Sequence, residues 1–225
     1  MLKALPRSYD STRRDLHAVA EHVLAAALHA ETGRIGLRAS AGGFATPPIR
    51  AGSAERELRV EGIDLVVVDG RVERRAPLRT IAAAAEMVGI EPGGPSDVYE
   101  LSTPLEPDRP LELDSSAAAI LHGWFALTSS ALEVFCRSRA SDGPSVAQLW
   151  PEHFDLAVTI NQVNYGGSPG DQEHAGPYIY VGPWAQERGP DEFWNEPFGA
   201  SAGWDQVTSP ESALEFFERG RLLAP

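Results

Sequence analysis

Four residues near the C-terminal third have the types and spacing to bind an ion together: His153 and Asp155, two apart, and Asp171 and His174, three apart. On a β-strand, residues i and i+2 share a face about 7 Å apart. Imidazole with carboxylate is a mixed N/O donor set suited to a transition metal such as Zn, Fe or Mn rather than to Ca or Mg. Glu152 and Glu173 stand beside these pairs as candidate general bases, and Trp150, Tyr178, Tyr180 and Trp184 are candidate pocket walls. The same stretch contains Gly166-Gly167-Ser168-Pro169-Gly170, a match to the G-x-S-x-G serine elbow. An elbow needs the backbone N–H of the residue after the serine as an oxyanion donor, and Pro169 has none, so the serine hydrolase reading is set aside.

The elements that must position these groups can be read from periodicity. QLWPEHFDLAVTI alternates as one strand, placing Phe154, Leu156, Val158 and Ile160 on one face and His153, Asp155, Ala157 and Thr159 on the other. A glycine-rich loop with Gly166, Gly167, Pro169 and Gly170 follows, then a single turn opened by Asp171 that places His174 on its side. Tyr178 to Val181 is the return strand, with both phenols on one face. The segment Trp150–Trp204 holds ten of the eighteen aromatic residues, which is why the expected pocket lies there.

Upstream, Leu16, Val19, Ala20, Val23, Leu24, Ala27 and Leu28 form the stripe of an amphipathic helix, with Thr12 and Asp15 as its expected cap and Gly33 as its stop. His22 and His29 fall off that stripe and are expected in solvent. Glu61-Gly62 and Asp69-Gly70 punctuate an antiparallel meander whose alternating Glu and Arg form a charged outer face. Leu78–Val88 reads as a short helix. The proline-rich stretch 91–110 reads as a connector with one short strand, Val98–Leu101. Asp114 caps a long central helix to Cys136, with His122 at the edge of its apolar face. Residues 193–200 are expected to cover an apolar sheet face, and a last helix runs from Pro210 to Arg219, stopped by Gly220.

These elements define an α+β protein with a mainly antiparallel sheet, an N-terminal helix and a long central helix, the sheet free to split into two layers or to curl into a barrel. We read residues 1–225 as a single domain, with candidate internal boundaries at 91–113 and 137–147. Nineteen Lys and Arg against 32 Asp and Glu give a net charge of −13, which disfavours nucleic acid and anionic membranes as partners. The N-terminal residues lack an apolar signal core, and the longest strongly apolar run, Leu65–Val68, is too short for a bilayer. One cysteine, Cys136, forbids an internal disulfide and points to a reducing cytoplasmic setting; its place on the helix makes it a core thiol.

The blocks GRIGLRASAGGFATPPI, LWPEHFD, SPGDQEHAGPYIYVGPW and FWNEPFGA resemble those of an uncharacterised family of proteins from high-GC bacteria. That resemblance spans most of the chain and implies a shared architecture, with no catalytic assignment. On the residues themselves, the expectation is a small-molecule enzyme, metal-dependent through His153, Asp155, Asp171 and His174. The alternative is a non-catalytic module binding a small ligand such as a carbohydrate.

Overall fold

A computed structural model describes residues 4–51, 54–185 and 189–224. It is an α+β structure with two antiparallel sheets, neither closed into a barrel. The contacts group the chain into two compact units, one of Leu5–Gly123 with Leu149–Phe154, the other of Met1–Ala4, Trp124–Gln148 and Asp155–Pro225.

In the first unit, α1 (Tyr9–Val19) passes through a π-helical turn, Ala20–Ala25, into α2 (Ala26–Thr32). The apolar stripe is fully internal, from Leu16 at 0% exposure to Leu28 at 1%. Gly33 ends the helix at φ 69°, a conformation only glycine adopts without strain, and its N–H reaches His29 O at 2.8 Å. Thr12 and Asp15 do not cap the helix. The Asp114 N–H donates to Thr12 Oγ1 (3.0 Å), while Arg109 Nη2 (2.5 Å) and the Glu112 N–H donate to Asp15, so both buried side chains tie the helix to the segment before the central helix.

The meander forms as expected. Strands β1 (Arg38–Ser40), β2 (Gly43–Ala45), β3 (Ile49–Ala51), β4 (Ala54–Glu61), β5 (Asp64–Asp69) and β6 (Val72–Pro77) pair in the order β1-β2-β4-β5-β6, with β3 also on β4. Gly62 and Gly70 turn the hairpins at φ 62° and 61°. The outer face carries the ion pairs Arg59–Glu73 (3.1 Å) and Arg75–Glu61. Helix α3 (Ile81–Val88) starts at Thr80, whose hydroxyl accepts the Ala83 N–H at 3.1 Å. Residues 98–101 form no strand, contrary to expectation, because the amides of Val98 and Tyr99 turn back onto Pro95 O.

Helix α4 (Ser115–Ser138) is capped by Asp114, whose Oδ1 accepts the Ala117 N–H at 2.9 Å. Its residues to Gly123 belong to the first unit and those from Trp124 to the second. By length and mean hydropathy (1.3) it is long and apolar enough to cross a membrane, unlike the short run Leu65–Val68. Its apolar face, from Ala117 to Phe135, is buried within the protein.

In the second unit, β8 (Asp155–Ile160), β9 (Val163–Ser168), β10 (Tyr178–Pro183) and β11 (Ala200–Gly203) pair in the order β11-β10-β9-β8. Two expectations fail here. The predicted strand through QLWPEHFDLAVTI is broken: β7 (Gln148–Trp150) ends in a turn at 151–154, and Phe154 takes φ 53°. The predicted loop at Gly166-Gly167 is strand instead. The β8–β9 hairpin turns at Asn161 and Gln162, both at positive φ (49° and 63°), with Ile160 paired to Val163.

Helix α4 packs on β9 through Trp124 and Thr128, where Gly167 leaves room: a Cβ there would lie 2.4 Å from Thr128 Oγ1. Phe135, Tyr165 and Phe217 form the aromatic core, with ring centroids 4.7 to 6.1 Å apart. Burial pushes the Tyr165 phenol up to about 12. Helix α5 (Pro210–Leu223) does not stop at Gly220. That glycine lies inside the helix because Val181 fills the space a side chain would need, 2.6 Å from a Cβ.

Candidate functional site

The second unit builds a polar network from the predicted residues, by a route the sequence did not show. Tyr180 lies opposite Gly166 in the β9–β10 ladder, and its ring crosses that glycine so closely that a Cβ would stand 2.8 Å from it. Its hydroxyl thereby reaches across β9 and donates to Asp155 on β8. The glycines in the strand are what let a tyrosine span two strand spacings. Burial first, and then the Asp155 carboxylate, push the Tyr180 phenol far up, so it remains a donor.

Two residues earlier on the same face, the Tyr178 hydroxyl donates to Asp171 Oδ2 at 2.6 Å, and its ring centroid lies 6.2 Å from that of Tyr180. Asp171 opens a bend rather than the expected helical turn: its Oδ1 accepts the N–H groups of Glu173 (2.8 Å) and His174 (2.7 Å). Burial alone would raise the Asp171 carboxyl. The Tyr178 hydroxyl and the two amides outweigh it and hold the carboxyl below its usual range.

His174 Nδ1–H donates to Asp171 Oδ1 at 3.3 Å, and Nε2–H donates to Glu196 Oε1 at 3.0 Å. Glu196 also accepts the Ser201 hydroxyl at 2.8 Å. Both ring nitrogens are donors, so the imidazole is charged. Partial burial opposes that charge, but the bonds to Glu196 and Asp171 win and raise the His174 pKa. The His174 bond in turn holds Glu196 low. Phe198 packs edge-on against both His174 and Tyr180. The result is a chain of hydrogen bonds, Tyr178–Asp171–His174–Glu196–Ser201.

This geometry decides which predicted residues meet. Asp171 and His174 do, and Tyr178 and Tyr180 bring Asp155 beside them. His153 is exposed on the 151–154 turn and counts with the first unit, as do Trp150 and Glu152. The shared face assumed for His153 and Asp155 does not form, because Phe154 leaves the extended conformation. Its ring is held instead against His17 (5.0 Å, stacked) and Phe44 (5.4 Å, edge-on). Glu173 is exposed and contributes its amide to Asp171.

The proposed ligand set does not converge either. One imidazole bridging two carboxylates points its nitrogens in opposite directions, so Asp171, His174 and Glu196 share no common point for an ion. Among the described residues no group of three or more His, Cys, Asp and Glu is arranged to hold a metal. Ser168 is 2% exposed, and its hydroxyl is bonded to the Gly170 amide (3.1 Å), which leaves the elbow reading without a nucleophile.

Glu196 was missed as a site residue, although FWNEPFGA was singled out as a covering segment. A carboxylate amid aromatics in that block was the available signal. Asn164 was missed too: its Oδ1 accepts from Trp184 Nε1 (3.2 Å) and Thr159 Oγ1 (2.8 Å), fixing a tryptophan that stays 62% exposed.

A second cluster, in the first unit, lies where solvent-facing histidines were expected. His22 is 0% exposed, as is Glu21 beside it on the π-helical turn, while the His29 side chain is about three-quarters covered. Glu21 Oε1 accepts the Ser102 N–H (2.9 Å), and Oε2 accepts the Thr103 N–H (2.9 Å) and hydroxyl (2.5 Å). His22 Nδ1 accepts the Gly94 N–H and Nε2–H donates to Thr103 O, each at 3.0 Å, which makes this ring neutral. His17 Nε2–H donates to Pro151 O at 2.6 Å, and burial pushes its pKa down to about 4. No signal in the spacing marked this cluster, since its members come from residues 17–22, 94–103 and 151–152.

Comparison of the chain with family models, with curated proteins and with solved structures finds no match.

Proposed function

We propose that the second unit is a non-catalytic module that binds a small ligand of carbohydrate type, with the Trp184 ring as its stacking face. One observation carries this reading. The side-chain tips of Asp155, Asp171, His174, Tyr178 and Tyr180 are bonded among themselves or to Glu196, whereas Trp184 is 62% exposed and pinned through its indole N–H to Asn164. An aromatic face held in place before binding loses little entropy on stacking against a sugar ring. The Asp171–His174–Glu196 bridge then shapes the loop and needs no transition metal. Titration with glucan, mannan and chitin oligosaccharides, followed by NMR at the backbone amides of β9 and β10, tests it. A saturable shift lost in Trp184→Ala is expected; no saturable shift with any of the three, or binding indifferent to Trp184→Ala, refutes it.

The five-group relay favours a second reading, a metal-free acid–base enzyme on the same ligand. Hydrolysis of a bound oligosaccharide that disappears in His174→Gln while binding persists would select this reading over the first.

A further inference from the structure

We propose that the outer edge of β6 is an interface on which a second copy of this chain pairs, strand against antiparallel strand, across a two-fold axis at Arg74. Strand β6 ends its sheet, and among the described residues no strand pairs with its far side. Other edges are closed. Beside β1, Leu37 exchanges both backbone bonds with Leu149 at 2.9 Å. In the second unit the Asn195 side chain takes the place of a strand along β11, accepting the Ser201 N–H at 2.9 Å and donating to Ser201 O at 3.0 Å. Along β6, by contrast, Val72 to Arg75 are all exposed, Val72 at 60%.

The backbone groups that this edge offers follow from its pairing with β5. The Leu78 N–H donates to Ile63 O at 2.9 Å, so by the alternation of an antiparallel ladder Val72, Arg74 and Ala76 turn their backbone groups towards β5. Glu73 and Arg75 turn theirs outward, and Pro77, which has no N–H, ends the run. An antiparallel copy of the same strand satisfies these outward N–H and C=O groups.

The side chains select one register. With Arg74 opposite its own copy, Glu73 faces Arg75 of the second copy, Arg75 faces its Glu73, and the exposed Val72 faces its Ala76. Sliding one copy by two residues in either direction sets Glu73 against Glu73 or Arg75 against Arg75, like charges directly opposed. On this sheet face Glu73 already bonds Arg59, and Arg75 bonds Glu61 and Asp64, so the pairing continues an existing row of alternating charge. Arg74 lies on the other face, where Asp69 (3.1 Å) and Met87 O (3.0 Å) hold its guanidinium on its own copy. A two-fold pairing uses up the edge, so association stops at two copies, and so short a contact makes a reversible dimer rather than a permanent one.

Sedimentation equilibrium of the full chain from about 5 µM to about 0.5 mM tests the proposal, with a reversible monomer–dimer equilibrium expected. Glu73→Arg and Arg75→Glu each turn both cross-strand pairs from opposite to like charge and should weaken the dimer at least about tenfold. Mixing these two variants should restore association, because each then meets the charge it lacks, a pattern that a role confined to one copy would not give. If either variant fails to fold, disulfide formation reads the register: in Cys136→Ser protein, Arg74→Cys should cross-link to its own copy on mild oxidation and Glu73→Cys should not. Wild type that stays monomeric at about 0.5 mM, leaving the edge to a strand of another protein, would overturn the proposal. So would association beyond two copies, a mixture of variants that binds no tighter than either alone, or equal cross-linking at the two positions.

Discussion

Replacing His174 with Gln removes the one positive charge between Asp171 and Glu196 while keeping a polar side chain of similar reach. The charged imidazole makes two charge-assisted bonds, at 3.0 and 3.3 Å, with 22% of its side chain and 20% of that of Glu196 still in solvent. Interior bonds of this type contribute about 1.5–3 kcal/mol each and exposed pairs about 0.2–1, so the partly exposed bridge is worth about 1.5 kcal/mol in total. The folded pKa of His174 is raised, so its contribution is complete below the unfolded value near 6.5 and is lost as pH climbs through the folded value. Asp171 and Glu196 are depressed, so theirs is complete above about pH 4.5 and is lost as pH falls. Urea unfolding of wild type and His174→Gln between pH 5 and pH 9 is therefore expected to show a gap of about 1.5 kcal/mol near pH 6 that shrinks below about 0.5 near pH 9. A gap independent of pH, or one that widens as pH rises, refutes the bridge as described.

Two more outcomes follow from the packing and from the donor geometry. Gly167→Ala drives a methyl group to 2.4 Å from Thr128 Oγ1, and the resulting shift of α4 against β9 should cost about 1–3 kcal/mol in chemical denaturation; a neutral result would mean that the helix is not seated on this strand. Metal analysis of protein purified without a metal-affinity tag should find less than about a tenth of an equivalent of Zn, Fe or Mn, before and after incubation with each ion. Stoichiometric uptake lost in His174→Ala would restore a metal-dependent reading.

Much of the framework was legible because it rests on local rules. The apolar stripe from Leu16 to Leu28, the Gly33 stop, the Asp114 cap and the two glycine turns of the meander each follow from residue type and spacing alone. The errors share a physical origin in contacts between residues far apart in sequence. Gly166 and Gly167 look like loop residues, yet they are strand residues whose missing side chains admit Tyr180 on one side and Thr128 on the other. Phe154 reads as part of an alternating strand, yet it adopts φ 53° because its ring is captured by His17 and Phe44. Asn161-Gln162 carries a hairpin without the glycine that usually marks one.

The site shows the same division. Asp171 and His174 were found because a three-residue spacing is a local matter. Glu196, their third partner, lies 22 residues further on and became visible only once the strands were paired. His22 was placed in solvent because the helical wheel puts it off the apolar stripe. The π-helical turn and the partners Gly94 and Thr103 bury it instead.

The division of helix α4 between the two units has a consequence for how the protein comes apart. Residues Ser115–Gly123 belong to one unit and Trp124–Ser138 to the other, so no loop separates them at this crossing. Cutting the chain there would sever several i to i+4 backbone bonds in the middle of a helix and expose Leu121 and Phe125, both at 0% exposure. Protease nicking should therefore fall in surface turns such as 139–147 rather than within the helix at 123–124.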